Sequence, residues 1–374
     1  MRGAVEFQGR SGLYNTSAEF ATLGEIVDRG RSALDAEVRD FLEGGAGAER
    51  TVRRNSSAFD RWCFEPRVMS GLAVPDLRRR FLGIELALPV LTAPFGADSL
   101  FHPEGHLAVA RANAAEGAAS IVPEAGSHSL EAVAEAAPAA ARIAQLHPMG
   151  SDENFRAMLR RIEDAGYAAV CVTLDCPTSG WRERNLRNRF DPARDVISGN
   201  YADRQGVPLE DVFGQIFTRV EAVWSWDHLA GLMRETSLPW IAKGIMTARD
   251  ARAAVDAGAS AVLVSTHGGR QLDGLPAALD RLPEVAEAVR GQASVAFDSG
   301  VRRGSDVVTA LCLGADVVVL GRLTAYALAA GGESAVRRMH ELLREEITAV
   351  LTLLGRGGVA ELGPHALREM GQRS

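Results

Sequence analysis

A parallel (β/α)8 barrel, the TIM barrel of the α/β class, is the fold this sequence predicts, and three observations predict it. From about Glu85, apolar β-type runs alternate with helical stretches. The runs number eight: Leu86–Phe95, Ala119–Glu124, Ala141–His147, Ala168–Asp175, Trp240–Lys243, Ala261–Thr266, Val295–Asp298 and Val317–Gly321. Polar residues gather at or just past the C-terminal ends of these runs, the face on which such barrels build their sites.

Each element follows in order. Up to about Glu49 the chain reads as a helical cap. Ala33 to Glu43 carries apolar residues at helical spacing and stops at Gly44-Gly45, a helix-ending pair. Most of the apolar runs lie roughly 20 to 35 residues apart, enough for a loop, a helix and a loop. Near-continuous apolar strands suit a parallel sheet buried on both faces. A doubly wound sheet would announce a GxGxxG turn after its first strand, and none stands there. One gap breaks the rhythm: more than 60 residues, Cys176 to Pro239, separate the fourth and fifth runs. Within it, Phe190 to about Val223 lacks a periodic face. A long loop on the active face reads as a mobile lid, about 190–223; an insertion without a catalytic part is the other reading. Ala325 to Leu354 reads as the last barrel helix with an extension, and Pro364–Met370 as a short helical tail. Residues 1–374 read as a single domain with its barrel at about 85–345.

Composition narrows the function classes. A chain of 374 residues suits one large barrel or two ordinary domains. Its 47% apolar residues are ample for a core. A net charge of −7 argues against nucleic acid or an anionic membrane surface as partner. The four cysteines, Cys63, Cys171, Cys176 and Cys312, show no metal or disulfide spacing. No metal site is expected, and a reduced, cytoplasmic protein is the simplest reading. The N-terminus has no apolar signal-peptide core, and no run is long enough to cross a bilayer.

The chemistry concentrates in Val264-Ser265-Thr266-His267-Gly268-Gly269-Arg270-Gln271-Leu272-Asp273. His accepts protons near neutral pH, and Arg is a planar fork that fits a carboxylate. Gly-Gly between them lets the backbone turn tightly. Together they suggest proton removal from a small carboxylic acid; a Gly-rich turn with solvated side chains is the bland alternative. The only lysine of the chain, Lys243, ends the apolar run Pro239-Trp240-Ile241-Ala242 just before a glycine. A compact ammonium at a strand end does a different job from a guanidinium. Asp298-Ser299-Gly300-Val301-Arg302 and Gly321-Arg322 follow the last two runs, whose loops form the usual phosphate site of this barrel.

The decapeptide resembles the signature of the FMN-dependent 2-hydroxy acid oxidase and dehydrogenase family. So do TAPFGADSLFHPEG (92–105), QLH (145–147), VTLDCP (172–177), RERNLRNRF (182–190), KG (243–244) and the segment 297–322. The likeness covers roughly residues 33 to 355, with all segments in order. It implies FMN as cofactor, its phosphate held around Asp298, Gly300, Arg302, Gly321 and Arg322. It implies Lys243 beside the flavin edge that gains negative charge on reduction. Gln145, Thr173 and Ser265 would hydrogen-bond the ring and ribityl chain, and Pro94, Phe95 and Gly96 would pack on the flavin through their backbone. On the substrate side, Arg182 and Arg270 would hold the carboxylate. His267 would act as base, and Asp175 would orient it. The implied reaction oxidises an L-2-hydroxy acid to the 2-oxo acid, with FMN N5 taking the hydride. The implied assembly is a homotetramer. The electron acceptor stays open among oxygen, a quinone and a carrier protein.

The pattern also departs from the family. A family tyrosine on the substrate carboxylate aligns with Phe41, and one on the reacting oxygen aligns with His147. Losing such a hydroxyl removes about 1 kcal/mol of hydrogen bonding, up to roughly 3 against a charged partner; His147 can still donate. Pro123-Glu124 stands where a Ser or Thr is usual, and Phe95-Gly96 where Thr-Ala is usual. Gly96 removes a methyl above the flavin, which would leave room for a larger substrate. These changes cluster in the substrate pocket, so the expected substrate is a bulkier acid than glycolate or lactate, aromatic or a biosynthetic intermediate. The alternatives are another FMN-barrel chemistry (amine oxidation, oxidative decarboxylation or a rearrangement), a degenerate flavin-binding protein, and a flavin-free phosphate-sugar enzyme. The last would have no need of Lys243.

Overall fold

In a computed structural model that describes residues 19–72, 74–201 and 224–370, parallel strands close into a barrel. They are β1 (Val90–Thr92), β2 (Ala119–Val122), β3 (Arg142–Leu146), β4 (Ala169–Thr173), β5 (Trp240–Ile245), β6 (Ala261–Val264), β7 (Ser294–Phe297) and β8 (Val317–Leu320). Leu91 of β1 pairs with Ala119 of β2 on one side and Val319 of β8 on the other, which closes the ring.

Side chains alternate across each strand. Leu91, Ile121, Ile143, Cys171, Ile241 and Leu263 pack together as one buried cluster, the barrel interior. Their neighbours Val90, Val122, Ala144, Val170, Ala242 and Val262 belong to a second cluster shared with the helices. This double burial is why the runs are apolar at nearly every position. Fully burying a leucine such as Leu263 stabilises the fold by about 2 kcal/mol. Ser129, Ser151 and Thr247 accept backbone N–H bonds in the first turns of Leu130–Ala136, Asp152–Asp164 and Ala248–Asp256. These caps satisfy orphan donors where each loop enters its helix.

Several boundaries differ from the sequence expectation. The run Leu86–Phe95 is not one strand, because Pro89 has no N–H to give to a ladder. It divides into Ile84–Leu86, which forms a hairpin with Arg79–Phe81, and β1. Phe81, Ile84 and Leu86 join the interior cluster, so the hairpin plugs the end where the strands begin. The expected helix from Ala33 to Glu43 is two, Leu23–Ala33 and Ala36–Glu43. Leu34 is buried and extended between them, and Asp35 takes the N-cap position of the second. The tail is not helical beyond the 3-10 turn Pro364–Ala366. Leu367–Glu369 is a strand antiparallel to Trp62–Phe64, and its buried–exposed alternation has the strand period of two. The long helix Arg322–Leu354 bends at Gly331-Gly332, where Gly332 has φ of +60°.

Of the lid expected at about 190–223, residues 202–223 lie outside the described residues. The chain before them forms the helix Glu183–Asn188 and the 3-10 turn Arg194–Ile197. Phe190, Val196 and Ile197 line the central cavity. Among the described residues, no helix is long and apolar enough to cross a membrane.

Candidate active site

A cavity of about 1190 Å³ opens at the C-terminal ends of the strands. That exceeds the roughly 300–1,000 Å³ of ordinary small-molecule sites. Pro94, Phe95 and Gly96 line it after β1, Gln145 and His147 at the end of β3, and Thr173 at the end of β4. Lys243 enters from β5, His267 and Arg270 from the loop after β6. Asp298, Gly300 and Arg302 follow β7, Gly321 and Arg322 follow β8, and Phe41 and Arg182 complete the mouth. Asp175 and Ser265 stand one layer behind, against His267 and Lys243.

His267 sits at φ +56°, an unusual conformation for a residue with a side chain. Such strain costs on the order of 1–3 kcal/mol and persists where surrounding bonds over-determine it. Here the His267 N–H donates to Ser265 Oγ at 3.0 Å, and the Gly268 N–H donates to Ser299 Oγ at 3.2 Å. The ring Nδ1 lies 3.2 Å from Asp175 Oδ1 and 3.4 Å from Lys243 Nζ. With Nδ1 facing those partners, Nε2 is the nitrogen turned to the cavity. Asp175 reaches this position because Gly244, at φ +99°, has no side chain; a Cβ there would stand 2.6 Å from the Asp175 Cβ. Burial works against the Asp175 charge, but Lys243 and His267 hold its carboxyl down at about 2. Burial and the Lys243 ammonium push His267 down to about 4, against the pull of Asp175. His267 is therefore neutral at pH 7 and ready to accept a proton.

Lys243 is buried, 4.0 Å from Asp175 Oδ1 and 3.4 Å from Ser265 Oγ. Burial opposes its charge, yet Asp175 and Asp298 raise its pKa above the ordinary lysine value. The register between β5 and β6 shifts between Lys243 and Ile245, and such irregularities re-aim a side chain.

Two arginines share the mouth. Arg270 donates to the carbonyls of Phe41 and Gly44, and its guanidinium lies 4.9 Å over the Phe41 ring. Phe41 thus serves Arg270 through its backbone oxygen and its π face. Arg182 Nη2 donates to Gln271 Oε1 at 3.0 Å. Both pKa values are lowered, by burial first and for Arg270 also by the charges of Arg182 and Arg322. These partners are neutral, so the pair keeps positive charge for an incoming carboxylate.

A second cationic end lies at the loops after β7 and β8. Arg322 donates to Leu42 O at 2.9 Å and Gly268 O at 2.9 Å. Gly300 sits at φ +97°, and a Cβ there would stand 2.3 Å from Asn55 O. Packing against the helix Arg50–Ser57 therefore excludes a side chain at Gly300, and the loop lines the cavity together with Arg302 and Gly321, just before the helix Arg322–Leu354.

Sequence reasoning gave no role to three residues. Gln271 Nε2 donates to Thr178 O at 2.9 Å and Asp175 O at 3.2 Å, which braces the segment carrying Arg182. Asp273 accepts from the Thr51 and Ala48 N–H groups and anchors the helix Arg50–Ser57. Both stand within the decapeptide, which was the available signal. Glu124, marked in the sequence only as a departure, bonds His147 Nδ1 at 2.8 Å. Gly96 has a different reason from the one expected. A Cβ there would stand 2.6 Å from Ala125 O, so packing against the β2 loop, not extra room in the cavity, excludes a side chain.

The sequence matches a family model described as FMN-dependent dehydrogenase over residues 30–369. It is 36% identical to 2-hydroxyacid oxidase 1 of Homo sapiens over 341 residues, covering 89% of this chain and 92% of that one. It is 36% identical to the L-lactate oxidase of Lysinibacillus sphaericus over 324 residues, 84% of each chain. Among solved structures, a mandelate oxidase mutant with (S)-mandelic acid matches with TM-score 0.85 at 35% identity, covering 95% of this chain and 100% of that chain.

Proposed function

Because the chain belongs to the FMN-dependent dehydrogenase family, whose members here are 2-hydroxy acid oxidases, we propose that it oxidises a bulky L-2-hydroxy acid to the 2-oxo acid. That it is an FMN-dependent oxidoreductase acting on the CH–OH group follows from the family itself. The bulky substrate and the residue roles are our reading. The observation that carries the roles is His267, with Nδ1 3.2 Å from Asp175 Oδ1, in one cavity with two arginines bonded to neutral partners.

The lining fits FMN. The cavity end lined by Gly300, Arg302, Gly321 and Arg322, with a helix start at Arg322, suits a phosphate dianion. Asp298 stands beside them. Buried Lys243, with Gln145 and Thr173, suits a ring edge that gains negative charge, and Pro94-Phe95-Gly96 offers backbone to the ring. Ser265, one layer behind, holds Lys243. When bound, FMN supplies the two-electron acceptor for the C2 hydrogen.

The chain's own residues do the rest. Arg182 and Arg270 grip the substrate carboxylate and fix which face of C2 is presented. Phe41 carries Arg270, and His147 reaches the C2 oxygen from the opposite wall. The C2–H and O–H bonds break and the C2=O bond forms, and the released proton goes to His267 Nε2. Asp175 keeps the proton of the resting ring on Nδ1 and stabilises the imidazolium that results.

An aromatic wall supports a large side chain on C2. Phe41 stacks with Phe190 at 5.0 Å and with Phe101 at 6.4 Å, and Phe95 meets Phe101 edge-on at 5.9 Å. Oxygen as electron acceptor is supported by relatives named as oxidases. Residues 1–374 are read as one domain, supported by the pairing of Trp62–Phe64 with Leu367–Glu369. Four unpaired cysteines support a cytoplasmic setting; a homotetramer rests on the family resemblance and is tested by light scattering. The test of the function is anaerobic addition of 2-hydroxy acids, from aliphatic to aromatic, to the yellow FMN-loaded protein. Fast bleaching by aromatic acids is expected. Fastest bleaching by glycolate or lactate would refute the bulky substrate.

A further inference from the structure

Gln271 follows Arg270 in the loop after β6, and its side-chain amide reaches across to the loop after β4. Its Nε2 donates to Thr178 O at 2.9 Å and to Asp175 O at 3.2 Å. Its Oε1 accepts from Arg182 Nη2 at 3.0 Å and from the Gly180 N–H at 3.4 Å. Both N–H groups and both lone pairs of the amide are thus engaged. The partners also fix its direction. Turned over, it would set its oxygen against two carbonyls and its N–H groups against two donors. The main chains close at the same place. A Cβ on Gly180 would stand 2.2 Å from Arg270 O and 2.7 Å from Gln271 O, and Arg182 Nε donates to Arg270 O at 3.3 Å.

These bonds fall on both halves of the site. The loop after β4 runs from Asp175, whose carboxylate faces His267, to Arg182, which faces the substrate. Asp175 Oδ2 is buried without a hydrogen-bond partner among the described residues. The aim of that carboxylate therefore depends on where its main chain is held, and Gln271 holds the Asp175 carbonyl. At its other end the amide gives Arg182 an acceptor that carries no charge. A carboxylate in its place would pair with Arg182 and offset the charge that a substrate carboxylate needs. A lysine or arginine would have nothing to accept with.

We propose that Gln271 is a positioning residue with two separable actions: its Nε2 end holds Asp175 in line with His267, and its Oε1 end aims Arg182 while leaving the guanidinium charge for the substrate carboxylate. The inference rests on the roles proposed above for Asp175, Arg182 and Arg270. The first action governs how fast a bound acid reduces the flavin, because it works through the base. The second governs how tightly a carboxylate binds and how strongly it is preferred over a neutral group of the same shape.

The test uses FMN-loaded protein and two probes, phenylacetate and its uncharged counterpart phenylacetamide, whose affinities are read from the shift of the flavin absorption. Flavin reduction is timed at saturating concentrations of the fastest 2-hydroxy acid in the panel above. Q271E keeps an acceptor for Arg182, loses both donors and adds a charge; Q271N keeps the amide but is too short to span the loops. We expect Q271E to bind phenylacetate at least about tenfold more weakly, with phenylacetamide within about threefold of the unaltered protein. Q271N should weaken phenylacetate less than Q271E does, and both variants should reduce flavin at saturation at least about tenfold more slowly. A brace without these actions would lower the melting temperature and leave both the phenylacetate preference and the saturated rate in place, which overturns the proposal. Either variant decides alone if the other fails to hold FMN; loss of FMN from both makes Gln271 a residue of the fold and also overturns it. An unaltered protein that binds phenylacetate no better than phenylacetamide overturns instead the Arg182–Arg270 reading, and the reduction rates then decide the action on Asp175 alone.

Discussion

Oδ1 of Asp175 lies 3.2 Å from Nδ1 of His267, while the buried Oδ2 has no hydrogen-bond partner among the described residues. The contact joins positions 92 residues apart and orients the His267 ring. Replacing Asp175 by Asn keeps the shape but removes the charge that favours the Nδ1–H form. We expect the rate of flavin reduction to fall by about 10²- to 10⁴-fold with FMN content unchanged. Stopped-flow reduction at saturating substrate measures it, and a rate within threefold of the unaltered protein would remove Asp175 from the mechanism.

Gly244 makes that contact possible. Alanine there would place a Cβ 2.6 Å from the Asp175 Cβ at φ +99°. Steric displacement and backbone strain together cost about 1–3 kcal/mol. We expect G244A to lower both the melting temperature and the rate of flavin reduction. Loss of stability with an unchanged rate would show that Asp175 adjusts without moving His267.

The two histidines set opposite pH dependences. His267 is held near 4, so kcat/KM stays level through the ordinary histidine range and drops as pH falls through about 4. Its depressed pKa also means that native stability declines as pH falls from about 6.5 toward 4. His147 is raised to about 10, so its contribution to stability is fully present below about 6.5 and is lost as pH rises toward 10. A pH–rate profile and melting temperatures from acid to alkaline buffers check both signs. An acid limb near 6.5 would contradict the environment described for His267.

Arg270 combines a forked guanidinium with a π contact to Phe41, and lysine reproduces neither. We expect R270K to lower kcat/KM about 10- to 100-fold, mostly through KM, with FMN retained. R182K should behave alike. The double variant should fall short of the product of the two losses, because both arginines are assigned to one carboxylate. Steady-state kinetics of the three variants tests this, and full additivity would mean that the arginines hold different groups.

The legible part of the site is local. His267, Arg270 and Lys243 could be read because each ends or follows an apolar run, and the strand period places such residues at the barrel mouth. Gln271 and Asp273 sat inside the same decapeptide, yet their roles depend on carbonyls at Asp175 and Thr178 and amides at Ala48 and Thr51, far away in sequence. Gly96 reads as space for substrate in the sequence, whereas in the fold the β2 loop packs against it, with Ala125 O 2.6 Å from where a Cβ would stand. The tail near Leu367 reads as helix in the sequence because its strand partner, Trp62–Phe64, lies at the other end of the chain.

By itself, then, the sequence determined the barrel, the order of its strands and the chemical types at its mouth. These follow from periodicities of a few residues, and a chain carries that information locally. Only the tertiary structure decided which charges meet. Asp175 finds His267 across β5, Arg270 finds the ring of Phe41, and Glu124 closes on His147 with Tyr201 behind it. The physical reason is that burial and partner charge, both long-range outcomes of packing, drive the two histidine pKa values apart, His267 down and His147 up.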